Sequence, residues 1–578
     1  GVTVVDEIKT TACPAADITP DFAPEHWAQA IVYAAIYAAQ HELEEMRVQL
    51  TYFQVDEELI LRFERHYTAQ QLQEEVEALL AEYAPWARRA VEWKKARNSD
   101  LQAMQFPFPA YRPGQRAMAG EVYKVCRDGG QLLCQAPTGI GKSMSVLFPA
   151  LKSMGNESVG PIFYLTARGT TRTAAENALA ILRDTEPELH LRSVTLTAKD
   201  KICLCETREC TPEACPYANG YYARIKGALW DVLDVPCLTA ETLQEYAERH
   251  TVCPFELGLD SSLWSDVIIG DYNYLFDPVV HLVRFFESAG DYIFLVDEAH
   301  NLPGRAREMH SAALTKTSFY EAKKLLGKGK SSLKNALTKV NDAFIEWRHC
   351  AEEETAARDG RFGKTFFLKE RSEEFDHLLN RLCEPLEAWL DDHREPDETH
   401  TTLLQLYFDV RAWLRVADTF DDHFVLQITA SGSEVRAAQL CLDPSAFLAD
   451  SFALGRAAVL FSATLAPASY YKDLCGVPEA RAVALRSPFP AGNQGLFCIG
   501  NVSTRYKDRD ASLAIVEESL AAMVRARCGN YLAFFPSYAY MEQAYAQFKE
   551  YCPEINCIKQ ENAMDEQQKA AFLAQFVP

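Results

Sequence analysis

Between Leu132 and Ser143 a short apolar run, Leu132-Leu133-Cys134-Gln135, leads into Ala136-Pro137-Thr138-Gly139-Ile140-Gly141-Lys142-Ser143 and then into a helical pattern from Met144. A buried strand, a loop of small residues and a helix start, in that order, leave few architectures open. Small residues let backbone N–H groups close around phosphate oxygens, and the helix N-terminus adds a favourable dipole. Ala136 stands at the first small position, and Thr138, Gly139 and Gly141 complete the loop. Lys142 is placed to neutralise the β- and γ-phosphates of ATP, and Ser143 to hold Mg²⁺. The plain alternative is a glycine-containing turn between strand and helix.

A second apolar run, Ile293-Phe294-Leu295-Val296, ends in Asp297-Glu298-Ala299-His300. An Asp at the C-terminal edge of a strand can bind Mg²⁺ through water, and the next carboxylate can position or deprotonate the attacking water. Taken alone, the segment also reads as a strand running into a solvated acidic turn. Paired with the phosphate loop, it describes an ATP-hydrolysing site built from Lys142, Asp297 and Glu298. Leu132–Gln135, Ile162–Thr166, Val267–Ile269, Ile293–Val296 and Ala458–Phe461 are all compact apolar runs separated by helical patterns. That alternation predicts a parallel α/β sheet with helices on both faces.

A chain of 578 residues is too long for one core, so several domains are expected. The net charge of −23 argues against a surface coated in basic residues, yet leaves room for a local basic groove. No stretch is long and apolar enough to span a bilayer, so no membrane partner is expected. The start, Gly1-Val2-Thr3-Val4-Val5-Asp6-Glu7, lacks both Met and the pattern of a secretory signal. With that start, the 17 cysteines point to reduced thiols and a metal site, and to the cytoplasm. Cys203, Cys205, Cys210, Cys215 and Cys253 lie between the two motifs. Four thiolates close in space select zinc or an iron–sulfur cluster, and the spacing lacks the paired Cys-x₂-Cys knuckles of a zinc ribbon.

With Asp297-Glu298-Ala299-His300 and the later Ser462-Ala463-Thr464, the chain resembles a superfamily 2 helicase, and its cysteine insert is similar to that of the XPD/DinG family. The resemblance covers roughly 106–578. It implies an ATP-dependent, 5′→3′ DNA helicase acting on single-stranded or forked DNA in repair. It also implies a [4Fe–4S] cluster on Cys203, Cys210, Cys215 and Cys253, with Cys205 left out. Tyr111-Arg112-Pro113-Gly114-Gln115 looks like the adenine-reading element, with Gln115 facing the base edge. Tyr164-Leu165-Thr166-Ala167-Arg168 resembles the motif whose Thr166 and Arg168 would touch the DNA backbone. Ser462, Ala463 and Thr464 would couple hydrolysis to strand separation through His300. Asp271-Tyr272-Asn273-Tyr274 also resembles a family segment.

Near the start, Glu7 and Lys9 share one face of a strand, and Gln29 and Tyr33 lie one turn apart on the next helix. This resembles the Glu-x-Lys and Gln-x₃-Tyr elements of PD-(D/E)xK, RecB-like nucleases; a strand edge with paired charges is the alternative. The metal-binding Asp of those enzymes is not found before Glu7, so this unit is expected to be inactive. Nor do the last arginine-bearing motifs of the second motor domain occur before Pro578, so the chain is expected to be cut short and to hydrolyse ATP poorly. The expected fold is α/β throughout. A truncated nuclease-like domain (1–100) precedes a RecA-like motor domain (106–304 and 441–470). The motor carries an iron–sulfur insert (197–260) and a helical arch (305–440), and a partial second RecA-like domain (471–578) follows. The other functional readings are a helicase–nuclease fusion and an ATP-gated single-stranded DNA clamp.

Overall fold

The structure is a computed structural model that describes residues 2–156, 159–167, 169–327, 331–357, 364–393, 397–500, 502–503, 505–562, 564 and 566–575. In the first unit, β1 (Val4–Thr11) runs parallel to β2 (Glu45–Gln54), and β2 pairs antiparallel with β3 (Leu59–Thr68). Helix α1 (Pro24–His41) covers the sheet, packing Trp27, Ala30, Ile31, Ala34 and Ala38 against Met46, Val48, Leu50 and Tyr52. Helix α1 stops at His41, where Glu42 turns left-handed with φ 51°.

Helix α2 (Ala69–Ala103) starts at a capping box in which Thr68 and Gln71 satisfy each other's backbone N–H. Its 35 residues reach about 50 Å at 1.5 Å per residue. Leu72 lies in the core of the first unit, whereas Leu101 lies in a core of the motor. The helix therefore belongs to both, although the sequence placed a domain boundary near 100. Its far end is fastened by a buried Arg97–Asp266 pair at 2.7 Å.

The motor contributes β4 (Gly130–Gln135), β5 (Ile162–Thr166), β6 (Ser193–Thr195), β7 (Cys237–Leu238), β8 (Val267–Asp271) and β9 (Ile293–Asp297). The chain then leaves for an insert built on β10 (Ala312–Thr315), β11 (Thr365–Leu368), β12 (Phe424–Ser431) and β13 (Glu434–Cys441). It returns as β14 (Ala457–Ser462) and β15 (Arg481–Ala484). The motor sheet has eight strands in the order β15-β4-β14-β9-β5-β8-β6-β7, and its pairings are parallel. This is an α/β fold resembling a RecA-like core. Strands β5, β9 and β14 are buried along their whole length, as strands covered on both faces must be. One face packs on α3 (Gln115–Asp128), α4 (Lys142–Met154) and α5 (Gly169–Thr185); the other packs on the cysteine-bearing segment and on Phe285, Phe286 and Leu302.

The insert at 305–440 is more than helical: β10, β13, β12 and β11 form a four-stranded antiparallel sheet beneath helices Ser332–Ala357, Glu373–Asp392 and Glu398–Thr419. Its strands alternate buried and open positions, a weaker sequence signal than the continuous runs of the motor. Tyr531–Phe535, an apolar run within the stretch read from sequence as a second RecA-like domain, is irregular. A strand needs a neighbour for its backbone groups, and the described residues after β15 form helices and loops. Residues 481–484, counted with the second domain from sequence, extend the motor sheet beside β4.

Candidate active site

Strand β4 hands its ladder directly to the phosphate loop, where the Ala136 N–H donates to the Ser462 carbonyl at 2.8 Å. Gly139 and Gly141 take φ of 81° and 78°, a region that favours glycine. A Cβ on Gly141 would come within 2.9 Å of the Gln115 amide nitrogen, and one on Gly139 within 3.0 Å of the Phe489 ring. Arg112, not singled out from sequence, donates to the Gly139 carbonyl at 2.6 Å. Thr138 and Gly139 face solvent. Gly141 starts α4, so Lys142 and Ser143 occupy its first turn, where the helix dipole favours anions.

Gln115 is buried and its Oε1 accepts the Arg112 backbone N–H at 3.0 Å. Its amide nitrogen lies beside Gly141 of the phosphate loop. Gln115, Arg112, Lys142, Ser143, Phe108 and Asn177 line a cleft of about 350 Å³, within the range of small-molecule sites.

Strand β9 ends at Asp297, which is linked to the cleft residue Ser143 through the Tyr164 hydroxyl. Asp297 Oδ1 accepts the Glu298 N–H and its Oδ2 the Tyr164 hydroxyl, both at 2.8 Å. Burial, opposed by the Tyr164 hydrogen bond, pushes the Asp297 carboxyl up to about 6. The Tyr272 hydroxyl donates to the Asp297 carbonyl oxygen. Glu298 sits at φ 49°, which a non-glycine residue adopts only when its surroundings over-determine it. Those surroundings are Lys142, with Nζ 3.5 Å from Oε1, and Ser462, which donates to Oε2 at 2.8 Å. His300 Nδ1 lies 2.7 Å from the Ser462 oxygen. Because the single Ser462 proton goes to Glu298, the imidazole must carry its proton on Nδ1 and donate. Thus Lys142, Glu298, Ser462 and His300 form one continuous polar chain. Ala463 is half-buried behind it, and the exposed Thr464 points its N–H back at the Ser462 oxygen at 3.4 Å.

The donor set suits Mg²⁺. The Ser143 and Asp297 oxygens both lie within hydrogen-bond reach of one tyrosine hydroxyl, at 3.4 and 2.8 Å. Mg²⁺ takes one or two protein oxygens and completes its shell with phosphate and water.

Other expected residues fare differently. Thr166 is fully buried and its hydroxyl turns to the Gly270 carbonyl, because it occupies an inward position of β5. Arg168 lies outside the described residues. Among the cysteines, the Sγ atoms of Cys205 and Cys215 stand 3.9 Å apart, while Cys210 is exposed and faces the Arg208 carbonyl at 4.0 Å. No group of three or more metal-ligating side chains assembles among the described residues, so Cys203, Cys210, Cys215 and Cys253 do not form a ready cluster site here. Cys205, set aside from sequence, is the thiol nearest Cys215. In the first unit Lys9 Nζ contacts Glu7 Oε1 and Gln29 Oε1, each at 2.9 Å, while Tyr33 is exposed. No described helix is long and apolar enough to cross a membrane.

The DEAD_2 family profile matches residues 186–319, the stretch containing the cysteine insert and the Asp-Glu-Ala-His strand. The chain is 22% identical over 552 residues to the general transcription and DNA repair factor IIH helicase subunit XPD/RAD3 of Saccharomyces cerevisiae, covering 76% of this chain and 69% of that one. It is 22% identical over 262 residues to a regulator of telomere elongation helicase 1 homolog of Drosophila melanogaster, covering 36% of this chain and 26% of the relative. A solved structure named as an XPD helicase overlays with a TM-score of 0.47 at 17% identity, covering 81% of this chain and 79% of that one.

Proposed function

We propose that this chain, a helicase of the XPD family with a DEAD_2 domain and thus an ATP-hydrolysing enzyme, couples ATP hydrolysis to movement along single-stranded DNA and opening of forked duplexes. The observation that carries the reading is the unbroken contact from Lys142 through Glu298 and Ser462 to His300. It joins the residue that senses phosphate to the segment that the family resemblance gives to strand separation.

Lys142 Nζ rests 3.5 Å from Glu298 Oε1; a γ-phosphate would draw it away and leave the carboxylate free to accept a proton from water. Ser462 and His300 then fix the position of Glu298. Mg²⁺, when bound, neutralises charge on the phosphate oxygens; Ser143 and Asp297 would hold it.

DNA-stimulated ATPase and strand-separation assays on wild type and Lys142→Ala test this reading. The variant should lose at least about a hundredfold in hydrolysis, in keeping with removal of a preorganised charge, while keeping nucleotide-independent DNA binding. An ATP-gated clamp would instead bind DNA tightly without separating strands. Movement 5′→3′ and a role in DNA repair belong to the same proposal and rest on the resemblance; a cytoplasmic location is proposed from the cysteine usage.

A [4Fe–4S] cluster on Cys203, Cys210, Cys215 and Cys253 is also part of it, supported by six cysteines within residues 197–260. Anaerobically purified protein should be brown and carry about four irons per chain; colourless, zinc-bearing protein would refute the cluster. A second reading, nuclease ancestry of the first unit, is favoured by the Lys9–Glu7 and Lys9–Gln29 contacts. As an inactive remnant it should not cut DNA in Mg²⁺ or Mn²⁺; metal-dependent cutting abolished by Lys9→Ala would instead make the chain a helicase–nuclease fusion.

A further inference from the structure

Tyr164 belongs to a segment compared above with a DNA-contacting motif, yet its side chain points the other way. Along β5, Phe163 and Leu165 enter one core while Ile162 and Tyr164 enter the other, the one beneath the phosphate loop. Tyr164 is fully buried. A tyrosine placed so deep needs a partner for its hydroxyl. It finds two: Asp297 Oδ2 at 2.8 Å and Ser143 Oγ at 3.4 Å.

These two oxygens come from residues 154 positions apart in sequence, one at the start of α4 and one at the end of β9. The hydroxyl proton goes to the nearer, charged acceptor. The same O–H is also directed at the more distant Ser143 oxygen, so both side chains are set by one donor. Asp297 Oδ1 is held by the Glu298 N–H. With both oxygens held, the carboxylate has one orientation, and each keeps a lone pair for a water or a cation.

We propose that Tyr164 is the positioning residue of the Mg²⁺ site, setting Ser143 and Asp297 in the geometry that receives the cation with ATP. The assignment rests on the functional reading above. Tyr272 supplies the control: it is equally buried beside the same aspartate, but its hydroxyl donates to the Asp297 backbone carbonyl and not to the carboxylate.

The test uses the full chain and a fluorescent, non-hydrolysable ATP analogue. Its Kd is measured in EDTA and in saturating Mg²⁺ for wild type, Tyr164→Phe and Tyr272→Phe, each checked for an unchanged circular dichroism spectrum. Groups that orient metal ligands are worth about 10–100-fold in metal affinity. Tyr164→Phe should therefore keep the wild-type Kd in EDTA and lose about tenfold or more of the Mg²⁺ enhancement. Tyr272→Phe should keep that enhancement. A wild-type enhancement in Tyr164→Phe would overturn the assignment. So would an equal loss in Tyr272→Phe, which would mark general loosening of the core. A wild-type chain that binds no analogue in either buffer would overturn the functional reading itself, and the assignment with it.

Discussion

The join between α2 and the motor offers a quantitative test of how this molecule is held together. Asp266 collects three donors: the Arg97 guanidinium at 2.7 Å, the Arg192 amide at 2.9 Å and the Trp93 indole N–H at 3.1 Å. The Arg97 and Asp266 side chains are only 10% and 5% exposed. Arg192 stacks over Trp93 at 3.5 Å; burial lowers its guanidinium to about 10, and Asp266 works against that. Asp266→Ala leaves one guanidinium and two N–H groups without their acceptor. Removing one partner of a buried ion pair costs about 3–5 kcal/mol. Because the pair fastens only the far half of α2, the loss should appear as local opening. Amide exchange for residues 93–103 should accelerate about 10²–10³-fold at 1.4 kcal/mol per decade, while residues 69–80 keep their wild-type rates. Replacing both partners, as Arg97→Met with Asp266→Leu, should recover part of the protection: the Arg97 charge is gone, while the Arg192 amide and the Trp93 indole still lack their acceptor. Exchange within about threefold of wild type in Asp266→Ala, or a double variant as labile as the single one, would refute the argument.

Two further outcomes follow from the active-site geometry. Ser462→Ala removes the hydroxyl that joins Glu298 to His300. Duplex unwinding should fall about 10–100-fold, the worth of hydrogen bonds to a charged group, with analogue affinity unchanged in a binding titration. Asp297 is raised to about 6 by burial, so between its unfolded value and 6 the native state holds the extra proton and metal-free stability falls as pH rises. Asp297→Asn should therefore melt higher than wild type in EDTA at pH 8, with the gap closing towards pH 4; thermal melts across that range would expose a gap that stays constant.

Much of the site was legible in the sequence because its parts are local. A loop of small residues between an apolar strand and a helix has one efficient use, and Gly139 and Gly141 do adopt positive φ. An acidic pair closing an apolar run lands at the C-terminal edge of a buried strand, as Asp297 does. Where a segment's conformation depends on distant partners, the reading slipped. Tyr531–Phe535 has the composition of a strand and no neighbour to pair with, and the insert's sheet is hidden by alternating strands. Thr166 and Tyr164 lie two apart on β5, and the resemblance drew attention to the buried threonine and away from the tyrosine that reaches the carboxylate.

Composition and short-range pattern by themselves determined the α/β class, the phosphate loop and the acidic strand end, since backbone preferences and side-chain periodicity act over a few residues. The order β4-β14-β9 is a matter of the whole fold: it inserts a strand from residue 457 onward between two that precede it by more than 150 positions. Only that insertion brings the Ser462 hydroxyl to Glu298 and His300, because contacts across a sheet depend on which strands are neighbours, and no local rule encodes adjacency.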